Sequence, residues 1–523
     1  MRFVAAAHKR SFTHDEVISL LAAAGHEGTF GEVVREDAVP VGVWARASEW
    51  KAFLVPDRWF CFARISSDLG RYDLHPPFYF WILHIWVIAG GVSLWTGPSL
   101  NIVIVAAGTF FLFVLARRAL DDPLLAATVT LFWNVSPSLI ATSLDARQYD
   151  LLAFCTIVYA LLSLGYAGAA ERPRWPGFLP LMLLTAVGLL THYHFGLVVA
   201  GCILFWVVVL SVRGDRRRAA TMVLSALGGC ALVVLLHPSF YHSFLAQASR
   251  AEAAAAFPLS HRINKLLISY MGFFVVRESV FRYVVTERAF VLALLGAVLL
   301  AGVVGVYLRR RSKRDRAADP QALARRFTSW LTLFLIGVTT VLYLVGLTPA
   351  HAMGGRYLSF VWPFFAFVPG LLLRYLPRGR TFLALLLCVL MLGSGIDHVR
   401  RLAASARRSP SLAEAVAGSE RVVLDNLRRG VVLQVVWDLP DSKLVFAADQ
   451  TGLLRDAGRL GRAEGPWFYI SIRGYGNSAK DRDAILQHIS ARREVLLRAQ
   501  GFEGLMDIFY IVGRTVGPRR LSG

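Results

Sequence analysis

Ionisable side chains of the kinds that carry catalysis recur in five short segments, each beside or between apolar stretches. Carboxylates can take a proton from a hydroxyl group, histidines can move protons, and the planar fork of arginine binds phosphate oxygens in two places. Because each segment comes from a different part of the chain, the fold must bring them together. The residues are Asp15 and Glu16, then His75, then Asp145 and Arg147, then His192 and His194, and finally Arg356 and Tyr357.

The elements that would position these residues are membrane helices. Of the 523 residues, 56% are hydrophobic and 17% charged, and the mean hydropathy is +0.52, which excludes a disordered chain and an ordinary soluble enzyme. Apolar runs of about 20 residues match the thickness of a hydrocarbon core. We predict spans at 99–118, 123–142, 148–167, 177–191, 194–213, 219–238, 289–308, 328–347, 357–376 and 380–398, with a further apolar stretch at 76–95.

The net charge of +21 has a membrane explanation. The densest basic runs, 216–218 and 309–314, lie at the ends of apolar runs, where they orient a membrane protein and contact anionic headgroups. We therefore expect membrane lipids, and no nucleic acid, as partners. Four of the five cysteines lie inside apolar runs and no CxxC pair is present, so we expect no disulfide framework.

The stretch 76–95 decides the orientation of everything after it. If this aromatic-rich stretch lies along the interface without crossing, the basic loops share one side and the candidate loops at 145–149, 191–194 and 351–357 share the other. If it crossed, every basic loop would face outward. We therefore predict an interfacial helix, and an active site on the outer face of a multi-pass plasma-membrane protein. The arginines at 400–408 would then be external, against the same rule.

The start of the chain raises a separate question. Residues 1–75 would lie outside, yet Met1–Ala7 is too short to carry them across a membrane. Our hypothesis is that the chain begins inside its native reading frame and that a first transmembrane helix is missing.

The last part of the chain changes character at about residue 410. Short apolar runs at 422–425, 444–449, 467–472 and 508–512 predict buried strands, and 483–491 predicts a helix between them. The predicted fold is thus an all-α polytopic membrane protein of about 10–11 transmembrane helices plus interfacial helices, with a small C-terminal soluble α/β domain. We divide it into 1–75, an outer region with the Asp-Glu pair, 76–398, the transmembrane domain, and 399–523, an extracytoplasmic α/β domain without a nucleotide-binding motif.

The five segments occur in an order that resembles a known family. Asp-Glu is followed by His-Pro-Pro-aromatic-Tyr, an acidic-Ala-Arg-x-Tyr loop, Thr-His-Tyr and Gly-Arg-Tyr, over residues 11–376. This order is similar to that of the GT-C glycosyltransferases, in the branch of the protein O-mannosyltransferases and the lipid A aminoarabinose transferases. Members of that family have a helix before the Asp-Glu pair, in agreement with the missing-span hypothesis.

The resemblance implies transfer of a sugar, with inversion, from a polyprenyl-phosphate donor to a hydroxyl group of a glycolipid, glycan or protein. A phosphate leaving group needs no general acid, so a base and nearby cations suffice. Asp15 resembles the family base, and Arg356 is the candidate for the donor phosphate, with Arg147 sharing that task. Glu16 and His75 would contact substrate or hold Mg²⁺ or Mn²⁺. The remaining substrate-binding candidates are Asp145, His192 and Tyr357.

Each assignment has a structural alternative. The alternatives are a helix cap for Asp15, a solvated helix face for Glu16, the start of the interfacial helix for His75, a salt bridge to Arg147 for Asp145, lipid headgroups for Arg356, and backbone bonds at a helix end for His192 and His194. For the whole chain, the alternatives are a transporter or flippase of lipid-linked sugars or polysaccharides, and a non-catalytic scaffold. Span centres almost free of charge favour a reaction at the interface over a translocation path.

Overall fold

The computed structural model describes residues 1–73, 75–168, 178–237, 240, 241, 243, 245, 258–275, 320–345, 355–376, 379–408, 410–502 and 504–513. The chain forms two compact units. The helical unit comprises Met1–Ala7, Leu69–Tyr79 and Gly97–Leu402, and the α/β unit comprises His8–Asp68, Phe80–Thr96 and Ala403–Gly523.

Most elements of the helical unit are long apolar helices. They are α1 (Arg2–Ala7), α7 (Thr96–Leu120), α8 (Pro123–Val135), α9 (Pro137–Thr142), α10 (Tyr149–Ala167), α11 (Phe178–Thr191), α12 (Phe195–Val212), α13 (Arg216–Leu236), α14 (Leu259–Met271), α15 (Pro320–Val345), α16 (Trp362–Phe365), α17 (Phe367–Leu373) and α18 (Arg380–Arg408), with a 3₁₀ turn at Gly355–Leu358.

Six helices of the described chain, namely α7, α10, α12, α13, α15 and α18, are long and apolar enough to cross a membrane. They coincide with predicted spans, which are thereby confirmed as helices. Large apolar side chains on them remain exposed, for example Phe110 at 63%, Leu235 at 76% and Phe382 at 69%. Apolar side chains exposed along helices of this length suit contact with lipid, and six such helices describe a multi-pass membrane protein.

The other predicted spans are shorter or interrupted. The stretch 123–142 breaks at Ser136, because Pro137 lacks an amide hydrogen and begins a new helix, α9. The stretch 357–376 divides into the 3₁₀ turn, α16 and α17. The span 177–191 is a helix of 14 residues, α11. The stretch 289–308 lies outside the described residues.

The aromatic stretch 76–95 contains α6 (Phe78–Gly90), a helix of 13 residues that follows two prolines and ends before Gly91 at φ +73°. Such a helix is about 20 Å long, whereas the hydrocarbon core is about 30 Å thick. The helix is thus too short to cross upright, and its placement along the interface stays a prediction.

Close helix packing in the helical unit depends on small residues. Gly228 and Gly229 of α13 face α11, where a Cβ at Gly229 would lie 2.5 Å from Thr185 Cβ. In lipid, where apolar surface drives association weakly, such close backbone approach is a main source of helix–helix stability. α11 leads directly into the loop that carries His192.

The α/β unit is built on one six-stranded sheet in the order β1-β3-β2-β4-β6-β5. The strands β3, β2 and β4 are parallel, and the others antiparallel. The elements are α2 (His14–Ala24), α3 (Glu27–Arg35), β1 (Ala45–Arg46), α4 (Ala47–Lys51), α5 (Phe62–Tyr72), most of α6, α19 (Leu412–Ala415), β2 (Arg421–Leu424), α20 (Arg429–Trp437), β3 (Leu444–Ala447), α21 (Gln450–Leu460), β4 (Trp467–Ile472), α22 (Ala479–Ser490), β5 (Arg493–Phe502) and β6 (Met506–Gly513).

The N-terminal segment folds together with the C-terminal domain. β1 pairs with β3, with Ala45 opposite Val445. The Phe12 ring packs on Trp437 of α20 with 4.8 Å between the ring centroids. The region 1–75 of our sequence-based division is therefore distributed over both units, and most of it joins the soluble α/β domain through these long-range contacts.

Asp425, at the carboxyl end of β2, is the polar centre of the α/β unit. It is fully buried, and its carboxylate accepts hydrogen bonds from Ile472 N–H at 2.8 Å, Ser471 Oγ at 2.7 Å and the Tyr469 hydroxyl at 2.8 Å. Asn477 Nδ2 adds a bond of 2.9 Å. These donors tie β2 to β4 and to the loop that follows β4.

We expect Asp425→Asn to destabilise the α/β unit by about 2 to 4 kcal/mol, because an amide NH₂ would face hydrogen-bond donors inside the protein. Hydrogen–deuterium exchange of the β2 and β4 peptides should accelerate strongly. The matched control is Asp441→Asn, since this carboxylate is 74% exposed, pairs with Lys51 at the surface and should have little effect. Equal exchange in the two variants would contradict the prediction.

Candidate active site

Two arginines and several aromatic rings meet in the helical unit, in a group that we call the arginine–tyrosine cluster: Arg147, Tyr149, His192, Arg356 and Tyr357. The Tyr149 and Tyr357 rings are buried and meet edge to face with 5.4 Å between their centroids. The His192 ring lies 6.2 Å from Tyr149 and 6.3 Å from Tyr357. Three predicted loops are thus brought together at the start of α10, the end of α11 and the 3₁₀ turn before α16.

Arg356 projects over the aromatic part of this cluster. Its guanidinium carbon lies 5.8 Å from the Tyr149 ring centroid and 5.4 Å from that of Tyr357. Cation–π contacts of this kind hold the guanidinium plane in a defined position. A positioned, half-buried arginine can bind a phosphate with two parallel hydrogen bonds.

Arg147 is only 4% exposed, and its positive charge acts on His192. The loop before it is fixed by its backbone, since Arg147 N–H donates to Asp145 O at 2.7 Å and Asn101 Nδ2 donates to the same oxygen at 2.6 Å. Asp145 is half-buried in this loop. Its role in substrate binding stays a prediction.

His192 and His194 occupy the turn between α11 and α12. The His194 N–H donates to His192 Nδ1 at 3.2 Å, so the backbone role that the sequence suggested is present. Burial, followed by the neighbouring His194, His75 and Arg147, lowers the pKa of His192 well below its usual value. Burial also lowers the pKa of His194 to about 4, against a backbone hydrogen bond with Tyr357 that raises it. Both imidazoles are therefore neutral near pH 7.

The protonation of His192 has a consequence for the chemistry. Because Nδ1 accepts a hydrogen bond, a neutral His192 carries its proton on Nε2. The ring can then donate one hydrogen bond but contributes no positive charge. The cations of the cluster are its two arginines.

His75 is held by Asp73, whose Oδ1 lies 2.8 Å from the His75 Nδ1. Both side chains are largely buried, with 17% and 11% exposure. Asp73 acts electrostatically on Tyr193, which follows His192 in the turn after α11, so this pair lies near that turn.

Asp15 and Glu16 belong to the α/β unit. Thr13, and not Asp15, is the cap of α2: its side chain accepts a hydrogen bond from Glu16 N–H, and Glu16 completes the capping box. Asp15 is 23% exposed and its Oδ1 lies 3.3 Å from His14 Nδ1. The capping alternative for Asp15 is therefore wrong.

Glu16 points inward. It is completely buried and forms an ion pair with Lys9, which donates to both carboxylate oxygens. The alternative of a solvated carboxylate on the helix face is wrong, because Glu16 is buried and its charge is paired with Lys9. A substrate or metal would have to displace Lys9, so these roles of Glu16 stay predictions that the arrangement does not favour.

The described residues do not fit a divalent metal. Among them no group of three or more histidine, cysteine, aspartate or glutamate side chains is placed to hold an ion. The two predicted ligands, Glu16 and His75, already bind Lys9 and Asp73. The expectation of Mg²⁺ or Mn²⁺ stays a prediction, and no step below depends on a metal.

Three residues of this region were not predicted from the sequence. Tyr149 lies at the centre of the cluster, and Asp73 supports His75. Neither the amide oxygen nor the amide nitrogen of the buried Gln148 has a hydrogen-bond partner within the described chain. Gln148 and Tyr149 belong to the acidic-Ala-Arg-x-Tyr motif, whose spacing was the available signal. Asp73 lies two residues before His75 and had no such signal.

Comparisons with known proteins find similarity over part of the sequence. Residues 74–242 match the dolichyl-phosphate-mannose-protein mannosyltransferase family, and this segment includes His75, Asp145, Arg147 and His192. The lipopolysaccharide core galacturonosyltransferase RgtA of Rhizobium johnstonii is 26% identical over 278 residues, which are 48% of this chain and 54% of that protein. The chain thus matches about half the length of that curated relative.

Among solved structures, the chain is similar to ArnT from Cupriavidus metallidurans. The structure bound to undecaprenyl phosphate has 15% sequence identity, covers 91% of this chain and 94% of ArnT, and has a TM-score of 0.41. The apo structure has 14% identity and a TM-score of 0.34, over 89% and 93% of the two chains. These scores are too low to transfer any geometry.

The apolar helices and the sequence matches resemble one class of protein, the polytopic membrane glycosyltransferases. Over residues 74–242 and over the 278 residues matched to RgtA, the chain is similar to members of the GT-C superfamily of these enzymes.

Proposed function

We propose that this protein transfers a sugar from a polyprenyl-phosphate donor to a hydroxyl group at the outer face of the plasma membrane. The observation that carries the proposal is the arginine–tyrosine cluster, in which Arg356 lies over two buried tyrosine rings and the charge of the buried Arg147 acts on His192. A phosphate monoester is the kind of group that guanidinium ions bind and stabilise.

In the proposed reaction the donor breaks its bond between the anomeric carbon and the phosphate oxygen. The phosphate leaves with the electron pair and is stabilised by Arg356 and Arg147. Asp15 accepts the proton of the acceptor hydroxyl, whose oxygen forms the new bond to the anomeric carbon from the opposite side. The configuration inverts, and no acid is required because the departing phosphate is already a stable anion.

The neutral histidines suit this scheme. A neutral His192 donates one hydrogen bond through Nε2 to a sugar or phosphate oxygen without adding charge. Tyr357, His75 and Asp145 complete the substrate contacts. Aromatic rings beside polar donors are typical of surfaces that bind the alternating apolar and hydroxylated faces of a sugar.

The acceptor and the sugar are suggested by the relative. Because that protein is a lipopolysaccharide core galacturonosyltransferase, galacturonic acid and the lipopolysaccharide core are the first donor sugar and acceptor to test for this chain. Loops form the candidate site, and loops can change specificity on a shared scaffold. After the lipopolysaccharide core, the acceptors to test are a different glycolipid, then a glycan, and then a protein hydroxyl.

The test uses the protein in proteoliposomes with undecaprenyl phosphate carrying radiolabelled galacturonic acid, and lipopolysaccharide from a strain lacking the gene. We expect label in the lipopolysaccharide and an equal amount of free undecaprenyl phosphate. Movement of the intact labelled lipid to the other leaflet without cleavage would overturn the proposal, since a flippase moves the lipid but breaks no glycosidic bond.

A further inference from the structure

His14 is held by two parts of the α/β unit that are far apart in sequence. Its ring stacks on Tyr475 with 4.9 Å between the centroids and an angle of 25°. It also packs against Gly430, where a Cβ would lie 2.6 Å from the ring atoms Cδ2 and Nε2. Any larger residue at position 430 would therefore displace the imidazole.

The same imidazole contacts the candidate base. Its Nδ1 lies 3.3 Å from Asp15 Oδ1, and the two residues form the first turn of α2 after the Thr13 cap. A carboxylate hydrogen-bonded to an immobile histidine is restricted to one orientation. In catalytic pairs of a nucleophile and a base, a third group orients the base in the same way.

Tyr475 occupies a backbone conformation that side chains rarely adopt. Gly474, Tyr475 and Gly476 have φ angles of +76°, +51° and +90°, so a tyrosine stands between two glycines in a left-handed stretch. The loop is anchored beside it, since Asn477 Nδ2 donates to Asp425 Oδ1 at 2.9 Å. Strained residues of this kind persist where the surroundings hold them, and they are frequent at functional sites.

The position of this loop agrees with a functional role. It follows β4 at the carboxyl edge of the parallel strands, and α20 with Gly430 follows β2 at the same edge. In sheets of this type, ligands bind outside the carboxyl ends of the strands. The N-terminal helix α2 packs on α20 there, so the Asp15 carboxylate lies at the edge where such domains carry their chemistry.

We propose that the C-terminal α/β domain positions the Asp15 carboxylate for proton transfer: Tyr475 and Gly430 hold His14, and His14 Nδ1 orients Asp15. Tyr475, Gly430 and His14 are positioning residues that act on the reaction through Asp15. The inference rests on the proposed function of Asp15 as the base. It gives the C-terminal domain, to which the sequence assigned no chemistry, a part in the reaction.

The test measures kcat and donor KM with the undecaprenyl-phosphate donor and lipopolysaccharide described above. We expect Tyr475→Ala to lower kcat about tenfold or more with an unchanged donor KM, because small displacements of a reacting group are costly. Gly430→Ala should lower kcat similarly by pushing the His14 ring away. Tyr475→Phe should keep kcat within about twofold, since the stack uses the ring and not the hydroxyl group.

The matched control is Tyr510→Ala, which removes a tyrosine of β6 in the same unit whose ring packs on Phe468 with 4.7 Å between the centroids. It should leave kcat near that of the wild type. Wild-type kcat in both Tyr475→Ala and Gly430→Ala, with an inactive Asp15→Asn, would overturn the positioning role and leave the proposed function intact. An active Asp15→Asn would instead refute the role of the base. Loss of kcat in Tyr475→Phe would overturn the stacking argument.

Discussion

Asp15→Asn is expected to lower the rate of sugar transfer by about 100- to 10,000-fold, the range by which a general base contributes to catalysis. The substitution keeps the size of the side chain but removes its ability to accept a proton. Thr13 and Glu16 make the cap of α2, so the helix should keep its start. The measurement is the initial rate of label transfer at saturating donor and acceptor, normalised to the amount of protein in the membrane.

The neighbouring carboxylate offers the matched control. Glu16→Gln removes the buried partner of Lys9 and leaves that ammonium group without its counter-charge. We expect less folded protein but a nearly normal rate per folded molecule. If Glu16→Gln abolished turnover at normal abundance while Asp15→Asn stayed active, the base would be assigned to the wrong carboxylate.

The membrane helices were predictable because each is a single apolar run of sufficient length, as in α7 and α12. The interruption after Ser136 was visible in the sequence as Pro137, yet composition alone made 123–142 look continuous. The division of 357–376 into the 3₁₀ turn, α16 and α17 was likewise not visible in its composition. A hydropathy profile averages over such interruptions of a helix and therefore does not show them.

The sheet was predictable where strands are buried on both faces. Trp467–Ile472 is buried throughout and forms a continuous apolar run, as predicted for a central strand. β5 was missed because it lies at the edge of the sheet and most of its residues are at least partly exposed, with polar residues among them such as Arg493 and Arg498. β1 has two residues and exists only because it pairs with Leu444 and Val445, which lie about 400 positions later in the sequence.

The candidate site was partly predictable for a similar reason. Charged residues beside apolar runs stand out in a sequence, which identified Arg147, His192 and Arg356. The contact of His14 with Tyr475 joins positions that no motif links. Glu16 is buried because it pairs with Lys9 and completes the capping box. The sequence does not reveal which of two adjacent carboxylates on a helix is the buried one.

Arg356→Ala is expected to lower kcat/KM for the donor by about 10- to 100-fold, because hydrogen bonds to a charged group contribute about 1.5 to 3 kcal/mol. The acceptor KM should not change. Arg356→Lys should recover only part of the loss, since an ammonium group keeps the charge but not the planar fork that binds two phosphate oxygens. Donor and acceptor are varied independently in the radiolabel assay.

The control distinguishes a phosphate ligand from a lipid-headgroup contact, which was the alternative for Arg356. Arg213 is an exposed arginine in the turn between α12 and α13, where it suits a headgroup contact. Arg213→Ala removes the same side chain and should leave donor kinetics unchanged. If both variants behaved alike, Arg356 would be an interfacial anchor. If Arg356→Ala raised only the acceptor KM, the guanidinium group would serve the acceptor, and Arg147 would be the cation that remains for the donor phosphate.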